Sequence, residues 1–273
     1  MQIVGYERDV GQPETDGAAD AAAEGDATED DATGAALLVA SDGAVRREPL
    51  STGRRLAFRL GERHCAGTLD GDRHVPCDRE SAPYCDQHVD RWPCARCTGD
   101  CDRPLDSCRE EHAVYLAAFA PATFKVGVTR SWRLETRLRE QGADRAAHLR
   151  TVTDGRIARR IEADIATDVG DRVRVPTKMD GLQESVDEDA WAALLAEFDP
   201  IETFAFAYGL DLDERPVQET LATGEIRGTK GRILVLDNGG TAYAVDLRGL
   251  VGYELHDGEA SRDLQASLGV FET

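Results

Sequence analysis

HAVYLAAFAPATFKVGVTR, residues 112–130, holds two runs of β-forming residues on either side of Ala120-Pro121-Ala122. Val, Tyr, Phe and Thr favour a pleated, half-buried surface, and the small residues around Pro121 interrupt it, so the stretch predicts strand, turn, strand over 112–120 and 123–129. Downstream, SWRLETRLREQ (131–141) predicts a helix with Ser131 as N-cap and Trp132, Leu134 and Leu138 as its apolar positions. AHLRTVT (147–153) predicts a third strand. Asp154 is placed to cap a second helix, in which Ile157, Ile161 and Ile165 share a face. Strand, strand, helix, strand, helix is the order of a small α/β domain.

Beyond it, a third helix is expected over 187–198, with Trp191, Leu194, Leu195 and Phe198 inward. Short strands follow at 203–208, 219–228, 232–238, 241–247 and 250–255, with DNGG (237–240) as a hairpin turn. They predict a C-terminal β barrel or curled sheet. The N-terminal strand-like segments QIVGY (2–6), ALLVAS (36–41) and RRLAFRLG (54–61) are candidates to join it. Between them, residues 11–35 are acids, Ala, Gly and Thr with almost nothing to bury, which predicts a disordered insertion. The expected fold class is α+β. Its expected parts are N-terminal strands with the insertion (1–61), a zinc module (62–111), the α/β domain (112–200) and the C-terminal β structure (201–260).

The formal charge is -20, and only three of the 32 basic residues are lysine: Lys125, Lys178 and Lys230. Such a surface suggests a salt-loving source, where molar salt shortens the Debye length to about 3 Å and screens self-repulsion. Acidity therefore does not argue against a nucleic-acid partner. No leader-like segment and no membrane-spanning apolar run is present, so a soluble, cytoplasmic protein with no membrane partner is expected. There is no P-loop, no H-E-x-x-H and no nucleophile elbow. Lys230, between glycines in GTKGR, reads either as a phosphate-contacting loop or as a plain hairpin turn.

All seven cysteines lie between 65 and 108, in a block almost without aliphatic residues. Something other than an apolar core must hold it. An odd count in a reducing compartment argues against a disulfide frame. Adding His88 makes eight ligands, enough for two closed tetrahedral Zn²⁺ sites of structural type. The spacing assigns Cys65, Cys77, Cys85 and His88 to one ion, and Cys94, Cys97, Cys101 and Cys108 to the other. A single ion, an interleaved pairing, and replacement of one ligand by His64, His74 or His112 stay open.

The segment 112–170 resembles the GIY-YIG nuclease superfamily. Ala113-Val114-Tyr115 matches the first motif and Lys125-Val126-Gly127 the second. Arg137 matches the helix arginine and Glu162 the glutamate helix. Lys125 stands where the family has a second tyrosine, and this segment has no asparagine. The resemblance implies that Tyr115, Lys125, Arg137 and Glu162 form a catalytic group on a phosphodiester, with Mg²⁺ or Mn²⁺ at Glu162. Arginines 130, 133, 137, 139, 145 and 150 are expected around it. As a whole, the cysteine block, HAVYLAAFAPATFKVGVTR, REQGA (139–143) and GEIRGTKGRILVLD (224–237) resemble the domain-of-unknown-function 2797 family. Three functions compete: a nucleic-acid binder of unproven catalysis acting on DNA or RNA, a divalent-metal nuclease, and a zinc-stabilised scaffold for a protein partner.

Overall fold

Tandem β segments dominate both ends of the chain. The computed structural model describes residues 1–9, 34–89, 97–101 and 105–259, and the chain divides into two units, Met1–Val89 with Val217–Thr273, and Asp90–Pro216. The segment expected to be disordered lies largely outside the described residues. Its last residue does not fit that reading: Ala35 is buried and its carbonyl accepts from Leu50 N–H at 2.8 Å.

In the first unit the chain lays down β1 (Gln2–Glu7), β2 (Ala36–Ser41), β3 (Ala44–Pro49), β4 (Arg55–Arg63), β5 (Thr68–Asp70) and β6 (Arg73–Val75). After residue 216 it adds β11 (Val217–Gln218), β12 (Ala222–Lys230), β13 (Ile233–Asn238), β14 (Thr241–Asp246) and β15 (Tyr253–Asp257). They form one eleven-stranded sheet in the order β11-β14-β13-β12-β4-β15-β1-β2-β3-β6-β5. Ile3, Leu37, Val39, Leu56, Ile226, Leu234, Leu236 and Leu255 belong to one buried cluster, so strands from both chain ends close over a common core. Of the two forms expected, barrel or curled sheet, a closed barrel is not formed. The two end strands have two and three residues, too short to pair across a seam. DNGG does join β13 to β14, with Gly239 and Gly240 at φ of 64° and 80°, as a tight hairpin requires. Lys230 ends β12 at the next hairpin and is buried.

The second unit holds β7 (His112–Phe119), β8 (Thr123–Arg130), β9 (Arg145–Val152) and β10 (Glu202–Ala205), in the order β10-β9-β7-β8 with every pairing antiparallel. The strand at Glu202–Ala205 was expected to begin the C-terminal set but pairs with β9. Alternation along β7 feeds two cores. Val114, Leu116 and Ala118 face one, while Ala113, Tyr115, Ala117 and Phe119 face the other. The first is covered by α2 (Gly155–Ala166) and α4 (Glu188–Leu195), the second by α1 (Leu134–Gln141).

Asp154 caps α2 by accepting from Arg156 N–H at 2.7 Å, as expected. Ser131 does not cap. Residues Ser131–Arg133 form a 3-10 turn, α1 starts at Leu134, and the Ser131 hydroxyl is buried without a partner. Gly142, at φ 68°, ends α1 in the left-handed conformation. The inward face of α2 is Ala158, Ile161 and Ile165, leaving Ile157 46% exposed. Two short helices, α3 (Val175–Asp180) and α5 (Leu247–Leu250), were not expected from the sequence. Among the described residues no helix is long and apolar enough to cross a membrane.

Candidate metal centre and cationic cavity

Cys65 follows β4, Cys77 follows β6, and Cys85 and His88 share one turn, closed by His88 N–H donating to the Cys85 carbonyl at 3.0 Å. The four ligand atoms lie within 4.8 Å of one another. His88 Nδ1 is 3.3 Å from Cys65 Sγ and 3.4 Å from Cys85 Sγ. A tetrahedral ion with metal–sulfur bonds of about 2.3 Å and metal–nitrogen bonds of about 2.0 Å needs such edges to be about 3.5 Å. The donor set therefore fits a metal ion. Backbone N–H groups of Gly67 and Cys85 donate to Cys65 Sγ at 3.5 and 3.2 Å. At Cys85 burial raises the thiol, but N–H groups of Gln87 and His88 and the neighbouring sulfurs outweigh it and hold it at about 7. Gly67, at φ 67°, lies against the Val75 carbonyl, so no side chain fits there.

The alternative histidines are engaged elsewhere. His64 Nδ1 is 3.0 Å from the Cys77 carbonyl, His74 Nε2 is 2.8 Å from the Ala66 carbonyl and His112 Nδ1 is 2.7 Å from the Glu110 carbonyl. The six described cysteines are free thiols. Of the second expected ligand set, Cys94 lies outside the described residues. Cys97 and Cys108 line a cavity of about 40 Å³ with His112. Among the described residues the only assembled ligand cluster is that of Cys65, Cys77, Cys85 and His88.

The second unit carries a cavity of about 590 Å³ along β8, an edge strand. Tyr115 and Lys125 enter it from facing strands. Tyr115 pairs with Gly127 and Lys125 with Ala117, so the two are diagonal neighbours on one sheet face. Gly127 is required by the tyrosine: a Cβ there would stand 2.5 Å from the Tyr115 ring and hydroxyl. Arg137 comes from α1, and Arg159 and Glu162 come from α2. Asp171 and Arg172 arrive because Val126 N–H on β8 donates to the Gly170 carbonyl at 2.9 Å. Tyr115, Lys125, Arg137 and Glu162 thus line one cavity.

Its electrostatics are dominated by cations. Lys125 and arginines 130, 133, 137, 159 and 172 line the cavity against Glu162 and Asp171. Glu140 is 2.9 Å from Arg133 and 3.1 Å from Arg137, so one carboxylate holds both forks in place. Burial pushes the Lys125 ammonium down to about 8. Arg137 adds to the shift, while Glu162 and Asp171 oppose it. Tyr115 is buried, and its hydroxyl accepts from Gln141 Nε2 at 2.6 Å. Burial pushes this phenol above its ordinary range despite Arg137, so it stays protonated at neutral pH. The arrangement offers a guanidinium fork, a lysine near its titration point and a phenol in one half-enclosed space.

Of the arginines expected here, 130, 133 and 137 line the cavity. The others are used elsewhere: Arg139 packs over Phe206, Arg145 pairs with Glu188 at 2.7 Å, and Arg150 donates to the Leu149 carbonyl at 2.7 Å. Arg159 and Arg172 were missed. For Arg159 a signal existed, since it lies three residues before Glu162 on a helix and pairs with it at 2.7 Å. That pair also bears on Mg²⁺ or Mn²⁺ at Glu162. The carboxylate is already bound by a guanidinium, and among the described residues no ligand cluster assembles in this cavity, so the site as arranged does not fit a divalent ion.

These features define an α+β protein with a Cys₃His ligand cluster in one unit and a cationic cavity in the other. The chain belongs to the family described as protein of unknown function (DUF2797), whose model matches residues 53–255. No curated protein and no solved structure matches it.

Proposed function

We propose that this protein binds nucleic acid, with a backbone phosphate seated in the cavity between Lys125, Arg137 and Arg159. The observation that carries the reading is the sign of the charge. Six cations less two carboxylates leave the lining at +4, and at +2 with Glu110 and Glu140 that pair with its arginines, in a chain of net charge -20. Concentrating arginines against one another costs free energy that an anion offsets. The order of the four matching residues, on two facing strands and then two helices, supports a GIY-YIG-like domain over this unit. We assign Zn²⁺ to the Cys₃His cluster, because three thiolates and an imidazole suit a borderline-soft ion. A second Zn²⁺ on Cys94, Cys97, Cys101 and Cys108 rests on spacing alone.

One observation favours cleavage as a second reading. A lysine held near 8 is partly neutral at physiological pH and can take a proton from water. The Arg159–Glu162 pair opposes the metal-dependent form. The test is binding and cleavage of labelled DNA and RNA strands over a series of KCl concentrations from low to molar, with Mg²⁺, with Mn²⁺ and with chelator. Binding independent of divalent ion, lost in Arg137→Ala, is expected. Cleavage of any strand replaces the binder reading by the nuclease reading, and absence of binding at every salt concentration ends both.

A further inference from the structure

Trp132 is 70% exposed, the most open large apolar side chain among the described residues. Its position in the helical pattern made it a core candidate. Instead the 3-10 turn Ser131–Arg133, between β8 and α1, turns it outward. The ring is nonetheless fixed. Its indole N–H donates to Glu110 Oε2 at 3.2 Å, and the guanidinium carbons of Arg130 and Arg133 stand 5.8 Å from the ring centroid. Glu110 also lies 3.5 Å from Arg130. Arg130 and Arg133 both line the cationic cavity. A held, open aromatic therefore adjoins the place where a phosphate is proposed to sit.

Leaving an indole in water forfeits the burial free energy that a tryptophan usually contributes. Cation–π contacts with two arginines offset part of that, and on a bland reading they only brace the turn. They leave most of the ring uncovered, however, and they tie it to cavity residues. A flat aromatic beside a phosphate site is the arrangement that single-stranded nucleic acids use: the backbone follows the cations and a base stacks on the ring. In a duplex the base faces are already stacked on one another, so the platform selects an unpaired nucleotide.

We infer that Trp132 is a base-stacking platform, which makes the ligand of the cavity an unpaired nucleotide of a single strand. This rests on the phosphate reading above. The experiment compares, for the full chain in molar KCl, the affinity for a short labelled single strand and for the same strand with abasic sites. Both carry the same phosphates. The wild-type protein is expected to bind the intact strand roughly tenfold more tightly. Trp132→Ala should remove that preference while binding the abasic strand unchanged, and Trp132→Phe should keep most of it. Equal binding of both strands by the wild-type protein, or a preference that survives in Trp132→Ala, overturns the platform and leaves the phosphate reading standing. An equal loss for both strands in Trp132→Ala also overturns it, because the ring then only braces Arg130 and Arg133. If neither strand binds the wild-type protein, the phosphate reading and the platform fall together.

Discussion

Lys125 is the residue at which stability and function pull apart. Its folded pKa, about 8, lies below the unfolded value of about 10.4, so burial penalises its charged form. Between those values the unfolded chain holds one more proton than the folded chain, and stability rises with pH across that window. Below pH 8 the penalty is present in full. Lys125→Met is therefore expected to stabilise the protein by on the order of 2 kcal/mol at pH 7, with the gain shrinking above pH 8 and gone past about 10.4. Urea unfolding at pH 7 and pH 9.5 checks this, and a pH-independent difference would refute it. The same variant should bind nucleic acid less tightly, because the wild-type cavity carries an ammonium below pH 8. Gly127 makes a complementary point. Gly127→Ala drives a methyl into the Tyr115 ring and should cost about 1–3 kcal/mol of stability, read by the same unfolding measurement.

At the scale of elements, the cavity is made by where β8, α1 and α2 end up. Helix α1 presents Arg137 with Glu140 one turn on, and this pair orients the fork. Arg137→Lys keeps the charge but loses the bidentate geometry. Affinity for a single strand should fall roughly five- to tenfold, while the dependence of affinity on salt keeps its slope, because the number of displaced counterions is unchanged. Titrations at three KCl concentrations decide it; a changed slope with unchanged affinity would contradict the assigned role. The metal loop depends on a different element property. In Gly67→Ala the left-handed conformation and the Val75 carbonyl both oppose a side chain, so metal affinity and melting temperature should fall together. A variant that holds metal as the wild-type protein does would show that the loop has room to shift.

Across the whole molecule, charge and covalent chemistry are unevenly distributed. The chain has a net charge of -20, while six of its 32 basic residues line one cavity and its seven cysteines lie in one block. Elemental analysis of protein prepared without added metal is expected to give zinc, two per chain on the reading from spacing and one if only the Cys₃His cluster binds. Chelation should lower the melting temperature, since structural zinc supplies roughly 10 kcal/mol or more of folding free energy. Preparations that contain no zinc, or that lose it without any change in melting, would remove zinc from the account.

Local chemistry determined much of this protein from its sequence. The run of β-forming residues in HAVYLAAF marks a strand, Asp154 marks a helix start and DNGG marks a hairpin, because each acts through its own backbone and near neighbours. The spacing of Cys65, Cys77, Cys85 and His88 likewise pointed to one ligand set, whereas Tyr115, Lys125, Arg137 and Glu162 were singled out only by a family resemblance. Tertiary structure decided what depends on distant partners. It set the pairing of Glu202–Ala205 with β9 rather than with the C-terminal strands, and the failure of the long sheet to close. It also decided the recruitment of Arg172 to the cavity and the outward turn of Trp132. None of these has a local cause. Each follows from which surfaces meet once the sheet has formed, and that is settled by burial summed over the fold rather than by the propensity of any one segment.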